Sequence, residues 1–219
     1  MTEAPEVILP HMALSGRITL LAAEEKSGKS TLIGQAVAAL SSGLGFLGGP
    51  TLSSRAMWMG LDEPTSDCAR RLIDGGALQS KIAIMEEKLE WNAFYDALDL
   101  VKPKLLVIDT LSEWASTEVR DFNSAADWTP VMRRLRDTVA RQRNVSIILL
   151  HHTRKGSHSY ADSRAIGAGV DIILEMHRSS DGDANRRIIN YRGRGLGSGS
   201  YRVRYSHGQY LLENSAWIR

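Results

Sequence analysis

Cysteine is almost absent. Cys68 is the only thiol in 219 residues, so an internal disulfide is impossible, a cysteine-based zinc site has no second ligand, and a reduced compartment fits. Long apolar runs are missing as well: no stretch approaches the roughly 20 residues that a membrane-spanning helix needs. The first residues, Met1-Thr2-Glu3-Ala4-Pro5-Glu6, carry acids where a secretory or transit leader carries cations. A cytoplasmic protein without a membrane partner is expected. There is no internal repeat, low-complexity tract or long linker. The length suits one α/β core and leaves no room for a second large one. We expect a single domain over residues 1–219, with an N-terminal extension (1–13), a core (14–205) and a C-terminal strand and tail (206–219).

The formal net charge of +2 conceals an asymmetry. Residues 133–219 hold 16 Lys or Arg against 7 Asp or Glu, which leaves 11 against 18 for residues 1–132. An arginine-dominated C-terminal part suits phosphate contacts, the main source of nucleic-acid affinity, and also suits contacts between subunits.

Short apolar runs alternate with amphipathic stretches, the pattern of a mostly parallel sheet flanked by helices. Strands are expected at 17–22, 55–61, 105–109, 146–151, 172–177 and 186–191, with a final hairpin through 201–205 and 209–212. The run Lys104-Leu105-Leu106-Val107-Ile108-Asp109 is apolar without alternation, as in a central parallel strand buried on both faces. Residues 30–42 carry Leu32, Ile33, Ala36, Val37 and Leu40, the spacing of one buried helix face. Further helices are expected over 66–75, 90–100 and 130–143, and loops over 112–128 and 153–163.

Chemistry concentrates at the ends of these strands. Ala23-Glu24-Glu25-Lys26-Ser27-Gly28-Lys29-Ser30-Thr31 matches the Walker A pattern except at its first position, where Ala23 replaces glycine. With a strand before it and a helix after it, the loop aims successive backbone N–H groups at an anion. The candidate ATP cradle is Glu25, Lys26, Ser27, Gly28, Lys29, Ser30 and Thr31. Lys29 is the cation for the β- and γ-phosphates and Ser30 a Mg²⁺ ligand; the side chains of Glu24 and Glu25 are expected to turn away from so anionic a ligand. Asp109, at the end of the central strand, fits the second carboxylate of the Mg²⁺ shell. Asp62 and Glu63, at another strand end, are candidates for the base that activates water, or for helix capping; Glu63 has the longer reach. His152 ends a further strand and is a candidate γ-phosphate sensor, with His151 as its packed or solvent-facing companion.

These residues together resemble the RecA-like P-loop ATPases, and within them the plasmid RepA type of hexameric replicative helicase and its phage relatives. The resemblance runs from about Leu14 to Tyr205. It rests on the loop 24–31, on Leu106-Val107-Ile108-Asp109-Thr110-Leu111, and on Ile148-Leu149-Leu150-His151-His152-Thr153-Arg154-Lys155. It implies a RecA-like α/β core with a C-terminal β-hairpin, and Mg²⁺-dependent ATP hydrolysis coupled to DNA binding or translocation in replication or recombination. The turn Leu61-Asp62-Glu63-Pro64 then supplies the catalytic carboxylate. Arg192 and Arg194, in Asn190-Tyr191-Arg192-Gly193-Arg194-Gly195, resemble the arginine finger that such rings project into a neighbour's ATP site, although Asn190 stands where the family usually has lysine. The DNA-contacting loops correspond to 112–128 and 153–163, and Arg154, Lys155, His158 and Tyr160 are the candidates for single-stranded DNA. A homo-oligomer, most simply a hexameric ring with ATP between subunits, follows from the same likeness. A filament-forming recombination or repair ATPase, and a nucleotide-gated regulatory module without helicase activity, are the alternatives.

Overall fold

The computed structural model describes residues 4–153, 164–194 and 197–214. A two-strand hairpin, β1 (Val7–Leu9) and β2 (Ala13–Leu14), precedes β3 (Ile18–Ala23), which turns directly into α1 (Lys29–Ser42). Strands and helices then alternate through β4 (Ala56–Gly60), α2 (Thr65–Asp74), β5 (Ile82–Met85), α3 (Trp91–Val101) and β6 (Leu105–Asp109). The short α4 (Leu111–Ala115) is followed by α5 (Ala125–Arg133), which continues as a π-helical stretch (Arg134–Arg141) before β7 (Ser146–His152). Next come α6 (Arg164–Gly169) and β8 (Ile172–Arg178), then β9 (Arg186–Gly193), β10 (Gly197–Ser206) and β11 (Gln209–Asn214).

Nine strands form one sheet in the spatial order β11-β10-β9-β8-β3-β7-β6-β4-β5. The six from β8 to β5 run parallel; β9, β10 and β11 add antiparallel at one side. Because successive side chains of a strand point to opposite faces, the central runs feed two cores. Leu21, Trp58, Val107, Ile148 and Leu150 meet Leu32, Ile33, Ala36 and Val37 of α1 on one face. On the other, Leu20, Met57, Ile108, Ile147 and Leu149 meet Phe94 and Leu98 of α3 and Trp128 and Val131 of α5. Trp58, Trp114 and Trp128 are fully buried; a large apolar side chain taken out of water contributes roughly 1.5–3 kcal/mol.

The expected strands at 17–22, 55–61, 105–109, 146–151, 172–177 and 186–191 lie within two residues of those observed, and the final hairpin is present, although β10 begins at Gly197. The loop expected over 112–128 is partly helical. It holds the end of α4 and the start of α5, because the Ser124 hydroxyl accepts the Asp127 N–H and the Asp127 carboxylate lies in the first turn, both of which favour a helix N-terminus. The helix expected to start at Pro130 therefore starts five residues earlier. Strand β5 has no counterpart among the expected strands: its four half-buried residues stand at the edge of the sheet. The N-terminal stretch also contributes to the core, for Ile8, Leu9 and Met12 are buried against the α1 face. Among the described residues no helix is long and apolar enough to cross a membrane.

Candidate nucleotide site

The site forms where β3, β4, β6 and β7 end. Beyond Ala23 the chain makes a tight turn with Lys26 at φ 54° and Gly28 at φ 96°, and Gly28 caps α1 in the left-handed conformation. Only glycine adopts that geometry without strain, and a Cβ there would collide with the Tyr210 hydroxyl. α1 begins at Lys29, so its free backbone N–H groups, and the positive end of its dipole, open onto the loop.

Lys29 is only 4% exposed. Its Nζ lies 3.0 Å from His152 Nδ1 and donates to the carbonyls of Ala23 at 3.4 Å and Glu24 at 3.5 Å. Burial lowers its pKa, against the opposing charges of Asp109, Asp62 and Glu25. The same burial, reinforced by the Lys29 charge, lowers that of His152, so the imidazole is neutral at neutral pH. With Nδ1 accepting from the ammonium, the ring proton sits on Nε2, which is 3.9 Å from Asp62 Oδ2. Asp109 is 2% exposed, and its pKa is pushed up to about 6, first by burial and then by Asp62 and Glu63, with a hydrogen bond from Ser30 acting the other way. Asp109 Oδ2 has no hydrogen-bond partner among the described residues. A buried carboxylate oxygen without a donor, bonded through the same carboxyl group to a serine that opens α1, is a donor set that suits a hard divalent cation. The Asp109–Thr110 peptide is cis.

Lys29, Ser30, Asp109, His152 and Asp62 thus come together. Glu63 does not point at this group: Arg71 of α2 grips both its carboxylate oxygens, Nη1 donating to Oε1 at 2.7 Å and Nη2 to Oε2. Burial and then the Glu63 charge push the Cys68 thiol nearby up to about 12, which leaves it an inert, buried side chain. His151 is buried and alternates to the sheet face opposite His152. Next to the start of α1 a cavity of about 440 Å³ is lined by Thr31, Gln35, Asp67, Arg70, Arg71 and Tyr205.

Arg192 and Arg194 lie elsewhere. Since β9 runs against β8, its far end is level with the start of the parallel strands: Arg192 pairs with Ile173, and Ile173 with Leu20. Arg192 is 53% exposed and 3.8 Å from Glu175, while Arg194 donates to the Ala168 carbonyl at 2.6 Å. Neither approaches this chain's own phosphate loop. Arg154, Lys155, His158 and Tyr160 lie outside the described residues.

Three residues that the sequence did not single out touch the loop. Arg187, buried, donates from Nε to the Ser27 carbonyl at 2.8 Å and from Nη1 to those of Ala184 and Arg186. Arg178 donates to the Lys26 carbonyl at 3.3 Å. Tyr210 covers Gly28, and its strand is tied to α1 by Gln35, which donates to Gly208 O at 2.7 Å and accepts from Tyr210 N at 2.8 Å. These contacts join positions about 150 to 180 apart in the chain, and no local spacing signals them.

A family model described as an AAA domain matches residues 2–158. The chain belongs to that AAA domain family. Among solved structures, one ATPase domain superposes with a TM-score of 0.69 at 16% identity, covering 89% of this chain and 84% of that one. A KaiC-like protein from Pyrococcus horikoshii OT3, PH0186, gives 0.68 at 15% identity, with 94% and 97% covered. No curated protein matches the sequence. At such identities the likeness shows the fold, and the AAA domain protein described here has a RecA-like P-loop core.

Proposed function

We propose that this AAA domain protein hydrolyses ATP with Mg²⁺ at the Lys29 site and couples turnover to single-stranded DNA as a ring-forming translocase or helicase of RepA-like type. The observation that carries the ATP reading is the convergence of Lys29, Ser30, Asp109, His152 and Asp62 on the N-terminus of α1. Lys29 exchanges its contacts to loop carbonyls and His152 for the β- and γ-phosphate oxygens, and the backbone N–H groups of the loop and α1 hold the rest of the triphosphate. Ser30 and Asp109 would hold the Mg²⁺, which would supply positive charge against the phosphates. His152, released by Lys29, is free to hydrogen-bond the γ-phosphate and register its loss. The base is supplied by the Asp62–Glu63 pair: Asp62 stands on the phosphate side, and Glu63 is available once Arg71 lets go. The cavity beside Thr31 receives the nucleoside. Arg192, with Arg194 beside it, serves a neighbouring subunit's site, and Arg154, Lys155, His158 and Tyr160 grip the DNA backbone.

The likeness to a solved ATPase domain supports this assignment. The second reading is a nucleotide-gated regulatory ATPase without helicase activity. ATP turnover with and without single-stranded DNA, on a preparation of measured mass, separates the two. Oligomer formation and stimulation by DNA are expected. A monomer whose turnover ignores DNA would reject the translocase.

A further inference from the structure

The opposite end of the sheet carries a second constellation that ATP chemistry does not use. Arg55, Lys81 and Lys104 each stand immediately before a strand, β4, β5 and β6 respectively, and these three strands are neighbours. Their first residues are in register, Ala56 pairing with both Ile82 and Leu105. The three cations therefore form a row across adjacent strands, at an interstrand spacing of about 4.8 Å. With Lys102 they line one open cleft of about 520 Å³, together with the hydroxyl-bearing Ser54 and Ser80. Four of the eleven Lys and Arg in the acid-rich first 132 residues thus meet at one place.

Little opposes this charge. Glu6 is 3.7 Å from Lys104, and Asp99, whose charge reaches Lys102, is held by Arg143 through two bonds of 2.8 Å. Lys81 is steadied by Ser53 at 2.5 Å, a neutral partner. Like charges in directly paired positions work against the fold, and an anion with several oxygens reverses that cost. A row roughly 10 Å long of guanidinium and ammonium donors with serine hydroxyls beside them has the composition of protein contacts to a sugar–phosphate backbone.

We propose that the Arg55–Lys81–Lys102–Lys104 cleft is a second nucleic-acid site, binding the phosphodiester backbone at the end of the sheet away from ATP. It rests on the reading of DNA as the partner and adds a contact apart from the loop after β7. The test is the triple variant Arg55→Gln, Lys81→Gln, Lys102→Gln, with a labelled single-stranded oligonucleotide titrated at several salt concentrations. Affinity at low salt should fall by about tenfold or more, and the slope of log Kd against log salt should drop by about two, at roughly 0.7 for each phosphate no longer neutralised. Basal ATP turnover should not change. Wild-type affinity and slope in the variant would overturn the cleft alone. Failure of the wild-type protein to bind any oligonucleotide would reject the DNA partner and, with it, this site. Inorganic tripolyphosphate is the control ligand: binding of tripolyphosphate that needs these cations, with oligonucleotide binding unaffected by their loss, would assign the cleft to a soluble polyanion and overturn the proposal.

Discussion

The six parallel strands and the three antiparallel strands of this sheet do different work. The central strands β4 and β6 are apolar along their length, and the polar side chains of the site stand where the central strands end, at Asp109, at His152 and, just past β4, at Asp62. The antiparallel part alternates, with Ile189, Tyr191, Tyr201 and Val203 buried and the polar Asn190, Arg192, Arg202 and Arg204 interleaved with them. Its cations divide by position. Arg187 lies at the phosphate end and braces this chain's own loop, whereas Arg192 lies at the other end and is exposed. On the proposed function, ATP-binding chemistry resides in the parallel strands, while the antiparallel strands brace this chain's own loop through Arg187 and carry the exposed Arg192 at the far end.

That division of labour can be tested residue by residue. Lys29→Ala should abolish turnover and severely weaken ATP binding, since it removes the buried cation that faces the phosphates; wild-type turnover would end the nucleotide assignment. Arg192→Ala should bind ATP yet hydrolyse it about 10³-fold more slowly, or worse, the effect of losing an arginine finger. Mixing it with Lys29→Ala should restore part of the activity, because some interfaces then pair an intact cradle with an intact arginine. No recovery, with a monomeric mass in ATP and DNA, would reject the shared site.

The base of the reaction comes next in size. Glu63→Gln or Asp62→Asn should slow hydrolysis by about 10²-fold to 10⁴-fold with ATP still bound, the range for a positioned general base. The larger effect at Asp62 would mean that the Arg71–Glu63 pair persists during turnover. A smaller effect is expected from Arg187→Ala, which strips a charge-assisted bond worth about 1.5–3 kcal/mol from the Ser27 carbonyl. The KM for ATP should rise about tenfold with kcat less affected, and Arg187→Lys should not rescue it, lacking the planar fork. An unchanged KM would show that the antiparallel strands do not support the loop.

The last effect is on stability, not turnover, and concerns pH. The folded pKa of Asp109, about 6 against an ordinary 3.8, means that the folded protein holds this proton more tightly than the unfolded chain. Its contribution to stability is complete below about pH 4 and is lost as pH rises through 6. Without nucleotide, Asp109→Asn should flatten the pH dependence of the melting temperature across that window and stabilise the protein at pH 7.5 by about 3 kcal/mol. A melting curve as pH-dependent as the wild type's would place the titration elsewhere.

The strand ends and the phosphate loop were legible in the order of the residues. Uninterrupted apolar runs such as Leu105–Ile108 suit a strand covered on both faces, as in the middle of a parallel sheet, and the loop before Lys29 holds all of its donors within a few residues. That order does not reveal β5, whose four residues are a strand because β4 offers an open edge, whereas the start of α5 is a local matter that Ser124 and Asp127 fix between them. Packing alone makes Asp62 face His152 while Glu63 is held by Arg71, since both acids occupy one turn and only the placement of α2 separates them. Packing also brings Arg187 and Tyr210 onto the loop and aligns Arg55, Lys81 and Lys104 in one row. Periodicity reports what a residue's own segment buries; which distant backbone it meets depends on strand order and register, and these are properties of the assembled sheet.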